Sequence, residues 1–149
     1  MPDKKKSRTV SVVAVVVVLV AVIWIAIPHL RSLRNLGYID SAIGTVRVLV
    51  TEENNYARSH PRQGYSCALT DLTSNDLLRE LAKSGRRNGY AFELICPAEP
   101  GTSPRQSFQI TARPLRAELP AYCSDQSGIL KSDDGGSPTN CLSRGVPVG

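Results

Sequence analysis

The sequence predicts an α+β protein: a long N-terminal helix, transmembrane in its first half and amphipathic in its second, packed against a small antiparallel sheet. Three observations carry that expectation. Residues 10–27, VSVVAVVVVLVAVIWIAI, hold no charge and a single hydroxyl, Ser11. From Leu33 to Ala57 apolar residues recur mostly at spacings of three and four, the signature of one helix face. Beyond residue 60 short alternating segments take over, separated by polar turns and carrying all four cysteines, Cys67, Cys96, Cys123 and Cys141.

The chain divides accordingly into a basic cytoplasmic tail (1–9), a transmembrane helix (10–28), an extracytoplasmic continuation of that helix (29–60) and a disulfide-stabilised α+β head (61–149). At about 1.5 Å per residue the apolar run makes roughly 27 Å of helix, close to the hydrocarbon thickness of a bilayer. Its valines are mediocre helix formers in water. Lipid overrides this, because backbone groups without water close their hydrogen bonds within the helix. A cleaved signal peptide is the competing reading. Its apolar core is shorter and ends in a small-x-small site, whereas this run exits through Ile25-Ala26-Ile27-Pro28. Trp24 fits an aromatic anchor at the interface. Lys4, Lys5, Lys6 and Arg8 precede the run and only Arg31 and Arg34 closely follow it, which places the N-terminus in the cytoplasm. The expected location is a bacterial inner membrane, spanned once, with the head in the periplasm or exterior and the lipid bilayer as first partner.

Past Pro28 the helix is expected to continue, kinked where proline removes a backbone hydrogen bond. Leu36, Ile39, Ile43, Val46, Val50 and Ala57 define its packing stripe, with Arg34, Arg47, Glu52, Glu53 and Arg58 among the polar positions. Gly37 and Gly44 weaken it locally by about 1 kcal/mol each. Pro61 and Gly64 end it. In the head, TSNDLLRELAKSG reads as a short helix capped by Thr73 or Ser74 and stopped by Gly85. GYAFELIC alternates with Tyr90, Phe92, Leu94 and Cys96 on one face; SFQITARPL alternates with Phe108, Ile110 and Ala112 inward. AYCSDQSGILKS reads as two short strands around an Asp125–Gly128 turn. Such a meander needs a partner for its inner face, and the amphipathic helix supplies one.

With two Phe and five Tyr in the whole chain, the head's core is small and marginal on burial alone. Four cysteines on the far side of the span, with no Cys-x-x-Cys, read as two disulfides in an oxidising compartment. Three pairings are possible. Cys67–Cys96 with Cys123–Cys141 is preferred because it joins segments that a meander places close together, and the other two stay open.

The net charge of +5 does not point to nucleic acid, and no nucleic-acid partner is expected. Without the four tail bases and Asp3, 14 bases and 12 acids remain, an ordinary solvated surface. No Gly-x-Ser-x-Gly, His-Glu-x-x-His, P-loop or dinucleotide motif occurs. His60 and Cys67 could be imagined as base and nucleophile, but a disulfide cysteine after a turn histidine is the simpler reading. Glu52-Glu53 and Asp133-Asp134 are adjacent pairs whose side chains diverge. The expectation is no enzyme, no cofactor, no catalytic residues and no metal site.

A basic tail, an apolar run ending in Ala26-Ile27-Pro28, then LRSLR and a long amphipathic helix together resemble the type IV pilins and the type II secretion pseudopilins. Tyr56, the turn SHPRQ and Gly64-Tyr65 look like the end of the pilin helix, and GYAFELIC, FQITARP and YCSDQSGIL look like the strands of its head. The resemblance implies an association of the long helix with other pilin-like subunits or assembly machinery. Aligning Pro28 with the family's proline puts the processing glycine at Lys6 and the acidic residue of the mature N-terminus at Ser11. In the family, a peptidase cuts after that glycine and the acid pairs with a neighbour's new N-terminus. Here the site is degenerate, so the tail is expected to stay on. The resemblance thus implies a single-pass, pilin-like envelope protein with a structural or assembly-accessory role. The alternative is a membrane-tethered exported binding module unrelated to filaments.

Overall fold

A computed structural model describes residues 4–97 and 104–148, with side chains from residue 15 onward apart from Pro28, His29 and Arg31. The side chains of Lys6, Ser11 and Pro28, on which the processing and kink expectations fall, lie outside the described residues.

Helix α1 (Lys4–Ser59) runs without interruption in type through Pro28. It contributes to two compact units, Met1–Gly37 and Tyr38–Gly149. The second unit, the head, is a six-stranded antiparallel meander: β1 (Arg86–Arg87), β2 (Tyr90–Ile95), β3 (Gln109–Pro114), β4 (Ala121–Asp125), β5 (Lys131–Asp133) and β6 (Val146–Pro147), in sequential order. Two further helices, α2 (Asp76–Ser84) and α3 (Pro138–Arg144), complete it. The central strands of the expected meander are present; the two-residue edges β1 and β6 and the helix α3 were not anticipated.

The inner face of the sheet follows the alternation. Tyr90, Phe92 and Leu94 of β2 pair across to Pro114, Ala112 and Ile110 of β3, and all but Pro114 are buried. Tyr122 of β4 joins them, with Leu78 and Leu81 from α2 and Ala42, Val46 and Leu49 from α1 in the same cluster. Successive strand residues point to opposite faces. Ala121 and Cys123 therefore lie on the other side of β4, where they form a second small cluster with Cys141 and Leu142 of α3. The head is thus three layers over β4, and that strand is buried on both faces.

The packing stripe of α1 is rotated from its expected position. The buried residues of the helix are Ala42, Thr45, Val46, Leu49 and Glu53. Of the expected set only Val46 lies at that centre; Ile39, Ile43 and Val50 are half-buried at its flank, as is Ala57. Leu36 is 54% exposed and belongs to the other unit. At 100° per residue the true centre lies roughly 80° away from the expected one. The reason is chemical. Two polar residues sit on the buried face because each finds a partner: Thr45 Oγ1 donates to the Ser41 carbonyl (2.7 Å), and Glu53 accepts from Ser66. A pattern that sends every polar residue outward misplaces the face.

The cap of α2 is also corrected. Asn75, not Thr73 or Ser74, is the N-cap, its Oδ1 accepting from the Leu78 amide at 3.0 Å. Gly85 closes the helix in the left-handed conformation, as expected. Asn88 and Gly89, both at positive φ, make the two-residue turn from β1 to β2, the geometry that an Asn-Gly pair favours.

Candidate functional site

Three features of the chain could carry function: an exposed apolar helix, a cradle around a buried carboxylate, and two bridges that fix the head.

The first is the N-terminal unit. From Val15 to Leu36 its large apolar side chains are exposed, Trp24 most of all at 77%. An 18-residue window of this helix has a mean hydropathy of 2.2, so among the described residues there is one helix, near the N-terminus, long and apolar enough to cross a membrane. Leu30, Leu33 and Leu36 extend the apolar surface beyond the uncharged run, beside Arg34. Water would penalise so much uncovered apolar area at about 25 cal/mol per Å2.

The second feature was not foreseen. Glu53, placed among the solvated positions of the helix by sequence, is fully buried. Its carboxylate accepts the Ser66 amide on Oε2 (2.9 Å) and the Ser66 hydroxyl on Oε1 (2.8 Å), and the Cys67 backbone adds a third bond. The turn that offers these donors is held in an unusual shape. Cys67 has φ +65, and a side chain on Gly64 (φ +75) would collide with the Arg105 backbone. Gly64 pairs with Arg105 as an isolated bridge, and the Arg105 guanidinium donates to the Ser66 carbonyl at 3.0 Å. Burial pushes the Glu53 carboxyl up from its ordinary value, and the Ser66 and Cys67 bonds only partly offset this. An unsatisfied buried carboxylate is costly, so a Glu on the inner face of a helix followed by a Ser in the next turn was the available signal.

The third feature is the pair of disulfides, Cys67–Cys96 and Cys123–Cys141, spanning 29 and 18 residues. The first joins the turn under Glu53 to the end of β2. The second joins β4 to α3 through the outer cluster and is fully buried. With Cys67 bonded to Cys96, no histidine–thiol pair forms. His60 instead stacks on Tyr56, ring centroids 4.1 Å apart, with Nδ1 3.0 Å from Ser59 Oγ.

Among the described residues no group of three or more His, Cys, Asp or Glu gathers as a metal site. Two shallow clefts border α1 in the head. One, of about 240 Å3, is polar and includes Glu52, Tyr56, Ser59 and Asp71. The other, of about 360 Å3, lies between Val46, Val50 and the 124–130 turn region that links β4 to β5. Compared with known protein families, curated proteins and solved structures, the chain gives no match.

Proposed function

We propose that the chain is a single-pass, pilin-like envelope protein with a structural or assembly-accessory role in a type IV pilus or type II secretion-type system. The observation that carries this reading is the continuity of α1. One helix begins as an exposed apolar segment that suits lipid and ends as a core element of a small α+β head. That design puts helical surface, not a pocket, at the disposal of partners. Lys6 and Ser11, standing where the family has its processing glycine and acid, favour an accessory over a processed filament subunit. In this reading the basic tail faces the cytoplasm and the disulfide-bonded head is exported.

The test is photo-crosslinking from Leu33 or Leu36 in native membranes, with and without the pilus or secretion machinery. Cross-links to other single-pass subunits that vanish with the machinery are expected. A head that is exported, stable and un-crosslinked regardless of the machinery would overturn the reading in favour of a tethered module.

A further inference from the structure

We propose that Glu53 and Ser66 form a buried proton-binding site that sets how firmly the head holds its 64–68 turn. Among the described residues, Glu53's hydrogen-bond partners are neutral donors of that turn. The Ser66 hydroxyl has the geometry to serve both protonation states. With Glu53 ionised, it donates to Oε1 at 2.8 Å. With Glu53 protonated, the carboxyl proton can be donated to Ser66 Oγ, and the hydroxyl turns to the Ala68 carbonyl, 3.1 Å away. The backbone amides of Ser66 and Cys67 accommodate either state. A hydroxyl is donor and acceptor at once, so the turn loses no bond when the proton arrives.

Burial sets the direction, and the charged neighbours do not reverse it. The 3-10 turn Leu69–Asp71 contributes Asp71, whose negative charge opposes ionisation. Arg105 directs its guanidinium to the Ser66 carbonyl, at 3.0 Å, rather than to the carboxylate. On α1 itself the adjacent Glu52 adds no positive charge. Burial therefore favours the protonated form, and the folded head binds this proton more tightly than the unfolded chain does. The stability gained is fully present below the ordinary carboxyl range, near 4.5, and is lost as pH rises through Glu53's higher folded value. An acid exterior would thus tighten the turn that carries Cys67, and a neutral one would loosen it.

The experiment is a carboxyl-carbon NMR titration of the full chain in detergent micelles, paired with thermal unfolding at each pH. Glu53 is expected to titrate above the exposed glutamates, with the unfolding midpoint falling over the same interval. Glu53→Gln should flatten that dependence. Ser66→Ala removes both the donor to the ionised carboxylate and the acceptor for the protonated one; the bond to the charged form is the stronger, so the Glu53 titration should move to higher pH. A Glu53 signal that titrates with the exposed carboxylates overturns the proposal, and needs no variant to do so. Parallel pH profiles for wild type and Glu53→Gln would overturn it as well.

Discussion

Leu49→Ala tests the register of α1, on which the architecture of the head depends. Leu49 is fully buried in the core cluster with Val46, Tyr90 and Phe92. The substitution removes about three methylene equivalents at about 0.8 kcal/mol each, roughly 2.4 kcal/mol of transfer free energy. A cavity term follows, because the neighbours come from the sheet and α2 and cannot all collapse inward. The total should be about 3–4 kcal/mol. Leu36→Ala is the control. It removes the same atoms from a residue 54% exposed in the other unit, so head stability should change by no more than about 0.5 kcal/mol. The assay is urea unfolding of the full chain in detergent, followed by near-ultraviolet circular dichroism of the buried Tyr90 and Tyr122. Equal costs at the two positions, or less than about 1 kcal/mol at Leu49, would refute the packing of this face on the sheet.

Removing Cys123–Cys141, or Cys67–Cys96 in acid where the Glu53 carboxyl is neutral, as a paired Cys→Ala variant should cost about 3–3.5 kcal/mol, from the closure of 18- and 29-residue loops. Hydrogen exchange should then localise the loosening to α3 and β5 for Cys123–Cys141, and to the 64–75 region for Cys67–Cys96; uniform loosening in both would contradict separate roles. Asn75→Ala should lower stability by about 1 kcal/mol through loss of the α2 cap, while Ser74→Ala and Thr73→Ala change it little. Equal effects at all three positions would mean that the cap does not rest on Asn75.

The broad plan was legible because it rests on strong periodic signals. A long uncharged run and a spacing of three and four both read as helix, and strands such as YAFELI show their alternation directly. What was not legible depends on contacts between distant segments. The two-residue edges β1 and β6 have no periodicity of their own and exist because β2 and β5 offer them hydrogen bonds. Helix α3, at seven residues, announces itself only by Ser137 as cap and Pro138 in the first turn. The cap was placed on Thr73 or Ser74 rather than on the next residue, Asn75, because three adjacent cap-forming side chains leave the first turn undefined until the Leu78 amide is placed.

The misplaced stripe and the missed carboxylate are one error with one cause. Ranking residues by polarity sends Thr45 and Glu53 to solvent and draws the stripe through Ile39, Ile43 and Val50 instead. Yet a polar side chain faces a core at little cost when its bonds are completed there, and the penalty then falls on the uncompensated remainder. For Thr45 the completion is local, to Ser41 four residues back. For Glu53 it comes from Ser66, thirteen residues on, across a turn whose shape is set by Gly64, Arg105 and the Cys67–Cys96 bridge. The helix face, the turn and the bridge therefore specify one another. If the bridge is removed, the donors lose their fixed positions, and a buried carboxylate is left to be solvated by partial unfolding. The cost of breaking Cys67–Cys96 should accordingly exceed the loop-closure value when Glu53 is ionised and approach it in acid, where the carboxyl is neutral. The same bridge variant built on Glu53→Gln should show the loop-closure cost at every pH. A cost for the bridge that is independent of pH in the wild-type background would separate the two features.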